Sequence, residues 1–288
     1  AGLVKGASKG EGLGNKFLSH IRETQCFAHV VRCFDDENVI HVEGKISPIN
    51  DLETIETELM LSDLEILEKR IEKIEKQLRN GDKALNDEFG CLTEIKNQIS
   101  TNGFKANLAS EDFQSHLKNL QLITAKSFFY IANLHEDDSK NLYIKELEEH
   151  AKKTNTELIK VFAKAESELI DLENEERNEY LEMLGIKEPT LDVIIKKGYS
   201  LLNLFSYFTA GSKEVRAWSV RNGAKAPEAA GKIHSDFEKG FIKADVVNFQ
   251  DYIDCSGLQK AKEKGKLKVE GKDYLVQDGD VIEFKFNV

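Results

Sequence analysis

The chain has 288 residues, 40% of them hydrophobic and 32% charged, which is enough length for two or three domains and the balance of a water-soluble globular protein with much exposed helix. Its formal charge is −11 and no apolar run approaches the roughly 20 residues of a membrane span, so a membrane-spanning role is excluded and any contact with a polyanion must come from a local cationic surface. The four cysteines (Cys26, Cys33, Cys91, Cys255) form no CxxC pair; they read as reduced thiols of a cytosolic protein, not as a zinc site.

The opening stretch, AGLVKGASKGEGLGNKFL, places glycine at 2, 6, 10, 12 and 14, too densely for a helix or strand interior. A helix is expected from Asn15 to Glu23, with Phe17, Leu18 and Ile21 on one face. A glycine loop feeding a helix suits a phosphate-sensing switch, and many ordinary loops share that shape. Next, FAHVVRCF (27–34) predicts a buried strand, in which His29 is expected to be a satisfied core residue.

From Asp51 to about Asn80 there is no proline or glycine, and Met60, Leu64, Leu67, Ile71, Ile74 and Leu78 recur at alternating steps of four and three. That is a heptad seam with Glu and Lys outside it. NGD (80–82) breaks the helix. A second periodic stretch runs through Leu85, Phe89, Leu92, Ile95 and Ile99 and ends at Gly103. The pair predicts an antiparallel helical hairpin inserted into a sheet domain, serving as a packing spacer or as a partner-binding arm.

Two further strands are expected at SFFYIANL (127–134) and ELIKVFA (157–163), separated by a polar helix from about Tyr143 to Lys153. Strand, helix and strand at that spacing imply a βαβ unit in a parallel sheet. The chain stays helical past Ile170. Near residue 203 it changes to short strands with turns, including helices in APEAAGKIHSDFEKG and LQKAKEKG. It ends on VIEFKFNV, with Ile282, Phe284, Phe286 and Val288 inward, after the turn QDGD.

Charge is unevenly divided. Residues 205–288 hold 14 Lys+Arg against 13 Asp+Glu, so the acidity belongs to the first two thirds. The run KAKEKGKLK carries Lys260, Lys262, Lys264, Lys266 and Lys268 against Glu263 alone. It suits a polyanion site, or simply a solvated face.

Both ends of the chain carry a resemblance. GASKGEGLGNKFLSHIRE resembles the second switch of the Obg-related P-loop NTPases. YFTAGSKEVRAWSV, APEAAGKIHSDFEKGFIKADVV and EGKDYLVQDGDVIEFKFNV resemble the YchF, or Obg-like ATPase, branch. The resemblance implies an α/β fold with an incomplete P-loop NTPase parallel sheet (1–50 and 124–202), an inserted antiparallel helical hairpin (51–123) and a C-terminal β-grasp, TGS-like α+β domain (203–288). In that family AGL is the tail of a D-x-A-G motif, preceded by the phosphate loop GxxxxGK[ST] and the first switch. Neither occurs in this sequence, so this chain alone is expected to be inactive and to supply no metal ligand. The intact protein is expected to hydrolyse ATP, or GTP, with Mg²⁺.

The same resemblance assigns roles. Gly2 would face the γ-phosphate, and Gly10, Gly12 and Gly14 would belong to the switch. Leu3 stands where many GTPases carry a water-orienting glutamine, and leucine has no donor or acceptor for that task. His41, in NVIHVEG, is nominated as the catalytic residue; read without the resemblance it is a half-exposed strand histidine. NLHE (133–136) stands where GTPases use N-K-x-D. Asn133 would contact the base, Leu134 replaces the lysine, and Glu136 replaces the guanine-reading aspartate, which relaxes or inverts base preference. Ala163 and Lys164 would back the base. In the TGS-like domain Lys213, Arg216, Trp218, Lys232 and Lys239 could line an RNA face, although Trp218 is expected in the core, and Lys262, Lys264 and Lys266 could join Lys232 and Lys239. The expected function is a cytoplasmic, monomeric ATPase whose nucleotide state governs association with ribosome or RNA, with no role for DNA or membrane. The alternative is a non-catalytic ribosome or RNA adaptor using the helical arm and the TGS module.

Overall fold

The computed structural model describes residues 13–41, 44–80, 82–105, 108, 111–137, 140–169, 172–183, 185–186, 188–211 and 214–287. The chain divides into two units, Ala1–Ile194 and Ile195–Val288.

In the first unit, helix α1 (Leu13–Glu23) starts two residues earlier than expected and takes Gly14 into its first turn. Leu18 is buried with Leu59 and Ile123, and Phe17 and Ile21 pack beside them. Strands β1 (Cys26–Arg32), β2 (Ser127–Asn133) and β3 (Leu158–Val161) form a parallel sheet in the order β1-β2-β3. Arg32 is level with Asn133, and Asn133 with Val161, so the C-terminal ends of the three strands are flush. Helix α5 (Ile144–Thr154) makes the crossover from β2 to β3, as the strand–helix–strand pattern predicts. Val31, Cys33, Tyr130, Ala132, Leu134, Leu147 and Ala151 form the core between them. Burial pushes the Cys33 thiol up to about 12, which leaves it inert as a nucleophile. His29 is half-buried with its ring 6.2 Å from that of Tyr130. Burial pushes its imidazole down to about 4, so it stays neutral at physiological pH.

Helix α2 (Pro48–Arg79) has 32 residues and is about 48 Å long. Proline in its first turn suits a position where a backbone N–H has no intrahelical acceptor. The heptad seam holds: Leu67 and Ile74 are fully buried against Leu92, Ile95 and Ile99 of helix α3 (Asn86–Asn102), while Met60, Leu64, Ile71 and Leu78 pack around them. Truncating one such residue to alanine typically costs about 2–5 kcal/mol. Arg70 clasps Glu88 across the pair, and Lys96 reaches Glu68 at 2.9 Å. Gly103 ends α3 at φ +56°, a conformation that favours glycine. Helix α4 (Glu111–Leu120), not foreseen from the sequence, adds Leu117 to the same core.

The expectation that Glu and Lys of α2 lie outside the seam holds in its distal half and fails at Glu58. Nearer its start Glu58, Ser62 and Asp63 are buried, because this half is enclosed by α1, by the sheet and by the turn at Ile123–Ala125. Helices α6 (Ala163–Glu168) and α7 (Asn174–Met183) follow β3, and α8 (Thr190–Leu201) leads into the second unit.

That unit is a five-stranded mixed sheet of order β5-β4-β8-β6-β7. Its strands are β4 (Leu204–Ala210), β5 (Val215–Arg221), β6 (Phe241–Asn248), β7 (Lys268–Glu270) and β8 (Asp280–Phe286), with β4 and β8 parallel and the other neighbours antiparallel. Helices α9 (Ala226–Ile233) and α10 (Ser235–Lys239), broken apart at His234, cover one face with Tyr207, Val246, Ile282 and Phe284. Helices α11 (Phe249–Asp254) and α12 (Leu258–Glu263) pack through Cys255 and Ala261 on Val247. Val246 and Val247 are successive strand residues and point to opposite faces, so the two helix pairs lie on opposite sides of the sheet. Gly240 is required by close approach: a β-carbon there would lie 1.9 Å from the Asn287 carbonyl oxygen.

Candidate nucleotide-binding site

In an open parallel sheet, ligands bind outside the carboxyl ends of the strands. Three loops leave those ends in the first unit, and each carries a residue singled out in the sequence.

The loop after β1 is gripped by Arg32. Its guanidinium donates to the carbonyls of Phe34 (3.0 Å), Asp36 (3.1 Å) and Val39 (2.8 Å), and it lies over the Phe34 ring. Asp36 receives the backbone N–H of Asn38, which with its side-chain amide holds the carboxyl below its usual range. The loop delivers His41, whose Nε2 lies 2.9 Å from Oδ2 of Asp51 in the first turn of α2. An open cleft of about 880 Å³ is lined by Arg32, Asp35, Asp36, His41, Lys140 and Tyr143 among others.

The loop after β2 begins at Asn133, which is half-buried and level with the strand ends. The side chain of Leu134 is buried in the sheet core and its N–H donates to the Val161 carbonyl; only its backbone is left at the rim. The Asn141 side chain accepts from the His135 N–H and donates to the His135 carbonyl, both at 2.8 Å, which closes the loop on itself. Glu136 receives the Tyr180 hydroxyl from α7 at 3.3 Å. The β1 and β2 loops meet where the Asp35 N–H donates to the Lys140 carbonyl and the Tyr143 hydroxyl to Asp35.

The loop after β3 opens α6, with Ala163 and Lys164 exposed in its first turn. Behind them Glu166 accepts both the N–H and the hydroxyl of Thr190, which fixes the start of α8.

The flush register starts the loops that carry Asn133, Glu136, Ala163 and Lys164 at one edge; His41 lies nine residues beyond the end of β1, on a cleft whose lining includes none of those four. Gly2, Leu3, Gly10 and Gly12 lie outside the described residues. The sequence reading missed Arg32, Asp51, Asn141 and Tyr180. A local pattern held a hint only for Asn141, a polar residue in a short strand-to-helix loop; Arg32 acts across 2 to 7 residues, and Asp51 and Tyr180 across 10 and 44.

In the second unit Lys260, Lys262, Lys264, Lys266 and Lys268 are all exposed, with Lys266 paired to Asp251 at 3.2 Å. Lys232 and Lys239 are exposed on α9 and α10. The sequence left open that they share a face with the lysine run; instead the sheet separates α9 and α10 from α12. Trp218 packs half-buried against the core, as expected, and donates to Thr209 Oγ1 at 2.9 Å while the Arg216 guanidinium lies 4.2 Å from its ring centre. Lys213 lies outside the described residues.

Known proteins share this architecture along its length. The family model YchF-GTPase_C, described as a protein of unknown function (DUF933), matches residues 204–287. The protein named ribosome-binding ATPase YchF of Bacillus subtilis (strain 168) is 50% identical over 293 residues, covering 100% of this chain and 80% of the relative. Its namesake in Escherichia coli O157:H7 is 49% identical over 290 residues with the same coverage. The solved structure of the Schizosaccharomyces pombe YchF GTPase matches with a TM-score of 0.77 at 36% identity, over 99% of this chain and 78% of that one. Sequence identity of this order, running from the α1 region through the arm to β8, places one conclusion beyond fold analogy: the chain belongs to the YchF family.

Proposed function

We propose that this protein is a ribosome-binding ATPase whose nucleotide sits at the carboxyl edge of the parallel sheet. The observation that carries the reading is the flush register of β1, β2 and β3, from whose one edge the loops of His41, Asn133–Glu136 and Ala163–Lys164 all start. Residues 1–50 and 124–202 form the nucleotide domain, 51–123 the arm, and 203–288 a TGS-like domain for the partner. Asn133, Glu136, Ala163 and Lys164 attend the base, and His41 acts at the phosphate end on the attacking water. Among the described residues no group of three or more His, Cys, Asp or Glu side chains converges on one point; a Mg²⁺ ion arriving with the nucleotide would be held chiefly by phosphate oxygens and water. Among the described residues no helix is long and apolar enough to cross a membrane. The relatives are named for ribosome binding, and a cytoplasmic monomer is the form we propose.

The relatives' names divide over the base, ATPase for the bacterial proteins and GTPase for the yeast one. Glu136 supports ATP for this chain. Its carboxylate is one methylene further from the backbone than the aspartate that takes two hydrogen bonds from guanine, and it is drawn toward Tyr180. A site that loses such a pair loses most of its discrimination. The full-length protein should therefore bind ATP at least as tightly as GTP in a calorimetric titration. A tenfold preference for GTP, about 1.4 kcal/mol, would refute the reading.

For the partner, charge selects the surface. With a net charge of −11, the protein needs a dense cationic patch to meet RNA, and the exposed lysines of α12 and the following turn provide one. Replacing Lys262, Lys264 and Lys266 together by glutamine should weaken co-sedimentation with ribosomes. It should also flatten the salt dependence by about one log–log unit per lysine, with the melting temperature as the folding control. Identical salt curves for wild type and triple variant would make the run a solvated face and shift the contact to the helical arm.

A further inference from the structure

We propose that Asp51 is the positioning residue for His41, fixing its ring and its tautomer for proton abstraction from the attacking water; this rests on the catalytic reading of His41. A general base is effective only when it is held at the right angle and distance, and in many hydrolases a third group orients it. His41 needs such a partner. It follows Val39 and Ile40, which are 48% and 94% exposed. Arg32 anchors the loop backbone only as far as Val39.

Asp51 meets the need from a rigid element. Its N–H donates to the Ser47 carbonyl at 2.9 Å in the first turn of α2, and its neighbour Leu52 is fully buried in the sheet core. The carboxylate is thus fixed by the root of a 32-residue helix and meets Nε2 at 2.9 Å. Both side chains are mostly shielded, at 17% and 28% exposure. An ionised carboxylate only accepts, so Nε2 must carry the hydrogen, and the lone pair resides on Nδ1.

Nδ1 is then the atom that takes the proton. As the water oxygen attacks the terminal phosphorus, its proton passes to Nδ1 and the bond from phosphorus to the bridging oxygen of the diphosphate breaks. The imidazolium so formed is stabilised by Asp51 and returns the proton to solvent. This is the division of labour of a base and its orienting carboxylate.

The test is a double-mutant cycle on the full-length protein, following steady-state ATP hydrolysis. Asp51→Ala should lower kcat roughly ten- to hundred-fold, the usual size for loss of an outer orienting partner, and leave KM for ATP unchanged. In a His41→Ala background the same substitution should have no further effect, because the two act as one unit. If His41→Ala itself hydrolyses at the parental rate, the catalytic reading fails and the positioning role falls with it. If His41→Ala is slow but Asp51→Ala is parental, or the two losses multiply, the positioning role alone is overturned. Should Asp51→Ala fail to fold, the ¹⁵N resonances of the wild-type His41 ring decide: an Nε2–H tautomer supports the proposal and an Nδ1–H tautomer overturns it.

Discussion

Replacing His41 by alanine is expected to slow ATP hydrolysis by the full-length protein roughly 100-fold or more, within the range for loss of a positioned general base, while ATP affinity stays nearly unchanged. In the proposed site Leu3 stands where many GTPases orient water with glutamine; leucine has no donor or acceptor for that work, which leaves it to another residue. His41 is the imidazole carried by the β1 loop; Arg32 binds the backbone of that loop as far as Val39, and His41 Nε2 meets Asp51 at 2.9 Å. An interaction made chiefly in the transition state lowers kcat and kcat/KM together and spares binding. Single-turnover hydrolysis with a parallel ATP titration reads both quantities. Parental turnover in His41→Ala would end the assignment, and a matching loss in Leu3→Ala would return the task to the switch.

The features legible in the sequence are those whose burial is periodic against one neighbour. The arm is one: Met60 to Leu78 repeat at heptad spacing because they meet the matching stripe of α3 along a single line. The strands are another, since buried parallel strands read as short β-branched and aromatic runs. Residue types after the strands, Asn133 and Glu136 above all, pointed to the base end through family resemblance. Helices α4 and α11 were not legible, because ten and six residues are too few to set up a clear helical period. The break at His234 was hidden because the helix-forming residues on either side disguise it. Nor could the sequence show that Lys232 and Lys260–Lys268 stand on opposite faces, which depends on whether each helix covers Val246 or Val247. Polar contacts across the fold left the least trace. Asp51 and Asp63 look like ordinary acidic exterior of a helical seam, and only the residues they meet, His41 and Arg22, reveal them as buried or half-buried partners.

Asp63 carries the largest expected effect on stability. Its side chain is fully buried in α2, yet every acceptor is used: Oδ1 takes Nη1 of Arg22 at 2.5 Å, and Oδ2 takes the N–H and hydroxyl of Thr124 at 2.7 and 2.8 Å. Arg22, 12% exposed, also donates to Ser62 Oγ at 2.6 Å, and Lys126 caps the end of α1 through the carbonyls of Arg22 and Thr24. The carboxylate therefore ties α1 and the turn before β2 to the root of the arm. Asp63→Ala leaves a shielded guanidinium without its counter-charge and a buried Thr124 N–H without its acceptor, a change that typically costs about 3–5 kcal/mol. Asp63→Asn keeps the volume and one acceptor, so its loss should be smaller. Glu65→Ala, which removes only an exposed pair with Lys69, should stay within about 0.5 kcal/mol of the parent. Calorimetric melting orders the three variants, and hydrogen exchange at the Thr124 amide locates the change: exchange there should accelerate in Asp63→Ala and not in Glu65→Ala. Unaltered melting with a still-protected Thr124 amide would mean that Arg22 and Thr124 find other partners without loss, and that apolar packing of Leu18, Leu59 and Ile123 holds α1 to the arm.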